Sequence, residues 1–160
     1  MVALGQKTSF GGSTLKRFLI CAVLSTLGAQ LLSAQTKTLD NKSCHLTIPA
    51  DWKQLGPSSA EAPGAKTFMA VVRSITPDDV KTTLDMIKQG QMDTLKPKVL
   101  DDNPKRVLIQ TERRAANGKT TTHYQVMTKA NPGCQGSADF ESPADADAAR
   151  KMVESTTGAH

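Results

Sequence analysis

The histidines are the side chains of this sequence best suited to proton transfer near neutral pH. There are three of them: His45, His123 and His160. A histidine beside a carboxylate acts as a general acid or base, which is the chemistry that a small hydrolase needs. His123, with Asp101 and Glu112 as scattered carboxylates, is the one combination that suggests such a site. A solvated histidine on a strand is the competing interpretation, since no spacing here resembles a zinc ligand set.

Motifs for nucleophilic catalysis and for phosphate binding are missing from the sequence. Ser58, Ser59 and Ser137 lack the Gly-x-Ser-x-Gly context of a nucleophile elbow. No glycine-rich loop follows a strand in a phosphate-binding arrangement. The run Asp-Asp-Asn at 101–103 offers oxygen ligands to a hard cation, but turn formation before Pro104 explains it equally well. We therefore predict no catalytic residue, no cofactor and no metal site.

Cysteines are the next reactive group, and the sequence has three: Cys21, Cys44 and Cys134. Cys21 lies in an apolar N-terminal run that we expect to be removed. The other two lie outside any Cys-x-x-Cys motif, and an even number of cysteines in an exported protein pairs by default. We predict a structural disulfide between Cys44 and Cys134, which encloses about 90 residues. Loop entropy assigns such a bridge about 4–5 kcal/mol. Two free thiols and thiol chemistry are the alternatives.

Basic residues gather around one predicted hairpin. They are Lys105, Arg106, Arg113, Arg114 and Lys119. Charges at a strand edge discourage edge-to-edge pairing, which is their commonest role. As a functional hypothesis, Arg106, Arg113, Arg114 and Lys119 would attract an anionic surface or an envelope protein.

The charge of the whole chain does not indicate nucleic-acid binding. Three of the 20 basic residues and none of the 15 acidic residues lie within residues 1–34. The rest of the chain therefore has 17 basic and 15 acidic residues, a net charge of +2. A nearly neutral domain attracts a phosphate backbone only weakly.

The first 34 residues have the pattern of a cleavable secretory signal peptide. Lys16 and Arg17 precede an apolar run, 18–32, of about 15 residues. That run is shorter than the roughly 20 residues that a membrane-spanning helix needs. We predict cleavage between Ala34 and Gln35, export to the periplasm or the medium, and no stable membrane span afterwards. An uncleaved N-terminal anchor is the alternative.

Apolar alternation and turn residues predict a flexible leader over 35–43 and one domain over 44–158. Strands are expected at 44–48, 66–75, 107–111, 120–128 and 134–140. Loops are expected at 56–64 and 98–105, and Asn117-Gly118 predicts a tight hairpin turn. Helices are expected to begin at Thr76 and Ser142, where a capping hydroxyl precedes proline, and to end before Pro97 and near Thr156. The prediction is an α+β domain: an antiparallel sheet of about five strands with two main helices packed on it.

The heptad Leu-Thr-Ile-Pro-Ala-Asp-Trp at 46–52 resembles the opening of the PsbP-like α/β proteins. That superfamily includes small periplasmic and thylakoid-lumen proteins. The order of elements, with a late strand that runs into a final helix at Pro143, is similar to theirs over about 110 residues. The resemblance implies an α-β-α sandwich and a non-enzymatic accessory or binding role, and no functional residue is carried over. We therefore expect an exported accessory or binding protein of the cell envelope, with a small secreted hydrolase around His123 as the alternative.

Overall fold

Strands make up most of the part of the chain that the computed structural model describes, which is residues 35–64, 68–92, 95–114 and 118–158. The predicted signal peptide with Cys21 and Ala34 lies outside these residues, and so do Asn117 and His160. The strands are β1 Thr36–Asn41, β2 Cys44–Pro49, β3 Lys53–Gly56, β4 Ser59–Glu61, β5 Met69–Ile75, β6 Lys98–Asp102, β7 Arg106–Arg114, β8 Thr120–Thr128, β9 Gly133–Phe140 and β10 Thr157–Gly158. The helices are α1 Pro77–Lys88 and α2 Ala146–Glu154, and a 3₁₀ turn at Pro143–Asp145 leads into α2.

Two antiparallel sheets are formed by these strands. The small sheet has the order β1-β2-β10, and the large sheet has the order β3-β4-β5-β9-β8-β7-β6. Successive residues of a strand point to opposite faces, so the large sheet has two distinct surfaces. One surface, here called the core face, carries Ala70, Val72, Leu108, Tyr124, Val126, Cys134 and Ala138. The other, here called the α1 face, carries Ile75, Val107, Ile109, His123, Met127, Gln135 and Ser137.

The main hydrophobic core lies between the core face, the small sheet and α2. Leu39 and Leu46 of the small sheet are fully buried there, and α2 contributes Met152 and Val153. Aromatic rings lie at one end of this core, where Trp52 packs edge-on against Phe68 at a centroid distance of 4.6 Å. An aliphatic core with few aromatic rings, as the composition indicates, is what the structure contains.

Gly136 lies in the middle of β9 because the final segment of the chain crosses the sheet at very close range. A Cβ added to Gly136 would lie 1.9 Å from the Thr156 hydroxyl oxygen and 3.2 Å from a Leu46 methyl carbon. Any side chain at this position would separate the large sheet from the small one.

Helix α1 covers part of the α1 face. Its N-terminus has the predicted cap: the Thr76 hydroxyl accepts a hydrogen bond from the Asp79 amide, and the Asp79 carboxylate accepts one from the Thr76 amide. Val80, with Leu84 and Ile87, packs against a second cluster of apolar residues. That cluster is Ile75, Val107, Ile109 and Met127. The helix ends at Lys88, not near Pro97, because Gly90 takes a left-handed conformation at φ +68°.

The predicted fold class is wrong. The domain is mainly β, with a seven-stranded and a three-stranded sheet in place of one sheet of about five strands carrying two packed helices. The strands that the sequence did not predict are edge strands or short strands: β1 in the expected leader, β4 and β6 in expected loops, and β3 and β10 in segments with no expected strand. Ladder hydrogen bonds to a neighbour hold them, so they need no strong apolar alternation of their own. Residues 36–41 of the expected leader form β1, whose Leu39 is fully buried.

The described residues 35–158 belong to one compact unit. No helix in this described part has the length and apolar character required to cross a membrane.

Candidate functional site

The predicted disulfide is present and joins the two sheets. Cys44 opens β2, and Cys134 lies in β9 at the centre of the large sheet. Their Cα atoms are 5.5 Å apart, and both side chains are buried in the main core. A bridge of this kind forms and persists in oxidising compartments, which indicates an exported protein.

His123 lies on the α1 face and contacts a carboxylate that the sequence did not suggest. It pairs in register with Asp139 of β9 on one side and with Thr111 of β7 on the other. The His123 Nδ1 atom lies 2.8 Å from Oδ1 of Asp139, and its Nε2 atom lies 3.4 Å from the Gln125 side-chain oxygen. Both ring nitrogens therefore have protein neighbours, and the residue is only 5% exposed.

The surroundings of Asp139 shift the pKa of its carboxyl group in two opposite directions. Burial raises its pKa, while the hydrogen bond with His123 and the electrostatic attraction of His123 and Arg113 lower it. The lowering effects prevail, so the pKa of Asp139 lies below its ordinary value and the carboxylate form is favoured. A carboxylate beside Nδ1 makes that nitrogen the hydrogen-bond donor.

The scattered residues considered for a hydrolase do not come together. Asp101 of β6 pairs in register with Leu108 of β7. His123 pairs with Thr111, which lies three positions further along β7. Glu112 pairs in register with Thr122, so its side chain projects from the core face, whereas His123 lies on the α1 face. It forms an ion pair with Lys96 at 2.9 Å.

The remaining histidine and the acidic run have local roles. His45 of β2 contacts the carboxylate of Asp40, its register partner in β1. The Asn103 side chain donates to Asp101 and accepts from two backbone amides, which closes the turn between β6 and β7. Within the described residues, no group of three or more His, Cys, Asp or Glu side chains is placed to hold a metal ion.

A pocket of about 640 Å³, here called the basic pocket, opens at one end of the large sheet. The turns after β6 and β8 meet the end of the chain there, and the Lys129 amide donates to the Lys105 carbonyl at 2.8 Å. Among the described residues that line it, three have cationic side chains and none is acidic. The lining residues are Pro104, Lys105, Arg106, Thr128, Lys129, Ala130, Asn131, Pro132, Thr156, Thr157 and Gly158.

The four basic residues proposed as an anionic docking surface lie at two ends of the hairpin. Arg106 is at the basic-pocket end, where it pairs with Asp101 at 3.7 Å and Glu154 at 3.5 Å. Arg113, seven residues further along the extended strand, is about 24 Å away. Arg114 and Lys119 share that far end, and Lys119 pairs with Glu141 at 3.1 Å.

Sequence reasoning missed the basic pocket and the carboxylate partner of His123. Lys105 and Lys129 are 24 residues apart, and only the pairing of β7 with β8 brings their turns together. Asp139 reaches His123 only because β9 inserts between β5 and β8. Neither the protein-family models nor the curated proteins compared with this chain match it. The geometry of these sites is therefore what supports a functional proposal.

Proposed function

We propose that this protein is an exported binding or accessory protein of the cell envelope, without enzymatic activity of its own. The observation that carries the proposal is the basic pocket, a concave space of about 640 Å³ with Lys105, Arg106 and Lys129 in its lining. Small-ligand sites commonly have volumes of about 300–1,000 Å³, with a few polar groups that fix the orientation of the ligand.

The proposed location rests on the disulfide and on the N-terminal sequence. The bridge between Cys44 and Cys134 supports an oxidising destination. We propose that residues 1–34 act as a signal peptide, that cleavage follows Ala34, and that the protein works in the periplasm or outside the cell. The resemblance of residues 46–52 to the PsbP-like proteins implies an accessory role, and it stays a prediction.

A small hydrolase around His123 is the second candidate, favoured by the hydrogen bond between His123 and Asp139. An imidazole oriented by a carboxylate is a common general base. Such a base must reach a substrate proton through its other nitrogen, however, and Nε2 faces Gln125 in a side chain that is 6% exposed. A substrate would have to displace Gln125 first.

A substitution that fills the basic pocket with a large side chain tests whether a ligand binds there. Ala130 is exposed and lines the pocket, so Ala130→Trp should occupy the space without disturbing the core. The matched control is Ala50→Trp, an exposed turn residue that lines none of the described pockets. The wild type and both variants would be purified from their host under non-denaturing conditions and examined by native mass spectrometry.

We expect the wild type and Ala50→Trp to carry a stoichiometric adduct that Ala130→Trp has lost. Recovery of all three proteins without any adduct would count against the binding function. Turnover of chromogenic esters, phosphate esters or glycosides by the wild type, abolished in a folded His123→Asn variant, would favour the hydrolase instead.

A further inference from the structure

A second concave surface, here called the helix groove, runs along α1 and has a volume of about 320 Å³. Pro77, Val80 and Leu84 supply its apolar walls. Two exposed lysines of the same helix, Lys81 and Lys88, lie at its rim. A groove of this composition suits an elongated apolar group better than a small polar molecule.

The helix groove and the basic pocket share one residue. Lys129, directly after β8, lines both of them. Its side chain forms an ion pair with Asp102, so the residue that borders both spaces is held by a carboxylate. The groove offers apolar walls with lysines at its rim, and the basic pocket offers cationic side chains, so the two spaces together make an amphipathic site.

The charge in this amphipathic site is unbalanced. Arg106 and Lys129 are engaged with carboxylates outside the two linings. Three further lysines that line the two spaces form no ion pair with any described residue: Lys81, Lys88 and Lys105. Asp85 is the one acidic side chain among the described residues of the two linings. A ligand bound here would therefore find an excess of positive charge beside apolar surface, with two of the three lysines at the rim of the groove and the third in the basic pocket.

We propose that the helix groove and the basic pocket together bind an amphiphile with one alkyl or acyl chain and one anionic headgroup. The chain lies along α1 against Val80 and Leu84. The headgroup, a carboxylate or a phosphate, lies in the basic pocket near Lys105. This inference rests on the proposed binding function and names its ligand class.

The test uses oxidised protein from the host and calorimetric titration with defined probes. Dodecanoate carries both chemical features, dodecanol carries the chain without the charge, and inorganic phosphate carries the charge without the chain. We expect dodecanoate to bind at least tenfold more tightly than either of the other two. In the series octanoate, decanoate and dodecanoate, each fully buried methylene should strengthen binding about fourfold.

Two variants locate the headgroup. Lys105→Glu reverses an exposed charge of the basic pocket and should weaken dodecanoate binding roughly tenfold, a difference of about 1.4 kcal/mol. Lys98→Glu reverses an exposed charge on β6 outside the described pockets and should leave binding unchanged. Methyl NMR shifts on titration should be largest at Val80 and Leu84.

Several results would overturn the inference: equal affinity for dodecanol, no dependence on chain length, or equal effects of the two lysine variants. Shifts centred on the small apolar pocket beside Trp52 and Met152 would overturn it as well, because the chain would then bind elsewhere. Vesicles that contain lysophosphatidylglycerol, which has one acyl chain and one phosphate, separate two sources of the same ligand. Vesicle binding in competition with dodecanoate supports the inference with a membrane lipid as the source, and dodecanoate binding alone supports it with a free amphiphile.

The two proposals can fail separately. An adduct of different chemistry on the purified protein, lost in Ala130→Trp, together with no dodecanoate binding would reject the amphiphile and leave the binding function standing. The absence of any adduct would count against the binding function itself.

Discussion

The two faces of the seven-stranded sheet differ in how completely they are covered. The core face packs against α2 and a second sheet, and the side chains at its centre are apolar and buried. The α1 face is covered by one helix over part of its area, and beyond the helix it carries polar side chains. These are Arg73, Thr111, His123, Gln125, Gln135, Ser137 and Asp139.

That difference separates the two kinds of interaction in this fold: apolar packing on the core face and polar contacts on the α1 face. On the core face, apolar contact and close approach leave no room for a new side chain, as at Gly136. On the α1 face, hydrogen bonds between neighbouring strands join some of the polar groups: Arg73 donates to Gln135, and His123 contacts Asp139. Buried packing is sensitive to small changes in volume, whereas polar pairs with one partly exposed member contribute modestly.

The largest effect should follow removal of the disulfide on the core face. The double variant Cys44→Ala, Cys134→Ala frees a loop with a sequence separation of 90 residues in the unfolded chain. We expect the free energy of unfolding in urea to fall by about 2–5 kcal/mol. Reduced wild-type protein should lose a similar amount. A loss below about 1 kcal/mol in both would show that packing alone holds the two sheets together.

A smaller effect is expected when the contact between the sheets is overfilled. Gly136→Ala places a methyl group against Thr156 and should cost about 1–3 kcal/mol in urea unfolding. The matched control is Gly56→Ala, where the nearest atom to an added Cβ is a serine oxygen at 3.7 Å. The control should stay within about 0.5 kcal/mol of the wild type. Equal effects at the two glycines would contradict the close approach at Gly136.

The smallest effect is expected on the α1 face, and it should depend on pH. The pKa of Asp139 is lowered in the folded state, so this carboxylate stabilises the fold above its unfolded pKa near 3.9. That contribution is lost as the pH falls through the folded pKa. Asp139→Asn should therefore be about 1 kcal/mol less stable than the wild type at pH 7, and the difference should shrink below about pH 4.

Urea unfolding at pH 7 and pH 3 measures this difference. Asp51→Asn is the control, since Asp51 is exposed and forms no ion pair with a described residue. It should follow the wild type at both pH values. A difference between Asp139→Asn and the wild type that is the same at pH 3 and pH 7 would show that His123 does not stabilise the Asp139 carboxylate.

Particular elements show which predictions the sequence supports. Helix α1 begins where Thr76 and Pro77 predict it, because capping is a local interaction between neighbouring residues. In β8, the alternation along the strand places His123 and Met127 on the α1 face and Tyr124 and Val126 on the core face. Residues 98–102 were expected to be a loop but form the edge strand β6, because the neighbouring strand β7 supplies the hydrogen bonds.

The candidate sites also differ in whether the sequence alone could predict them. The disulfide could be predicted because the two cysteines outside the expected signal peptide have a single way to pair. The carboxylate that contacts His123 could not be chosen, since the 15 acidic residues offer many candidates and the position of β9 in the sheet selects Asp139. The basic pocket likewise depends on turns that are distant in the sequence.

The sequence by itself determined the cysteine pair, the cap of α1 and the alternation of the long strands, and the export signal that we predict rests on it alone. Each of these depends on residue types at short spacing or on a count. Tertiary structure decided the number of strands, the insertion of β9 between β5 and β8, the partner of His123 and the meeting of Lys105 with Lys129. These features are set by hydrogen bonds and burial between distant segments, which local propensity does not encode.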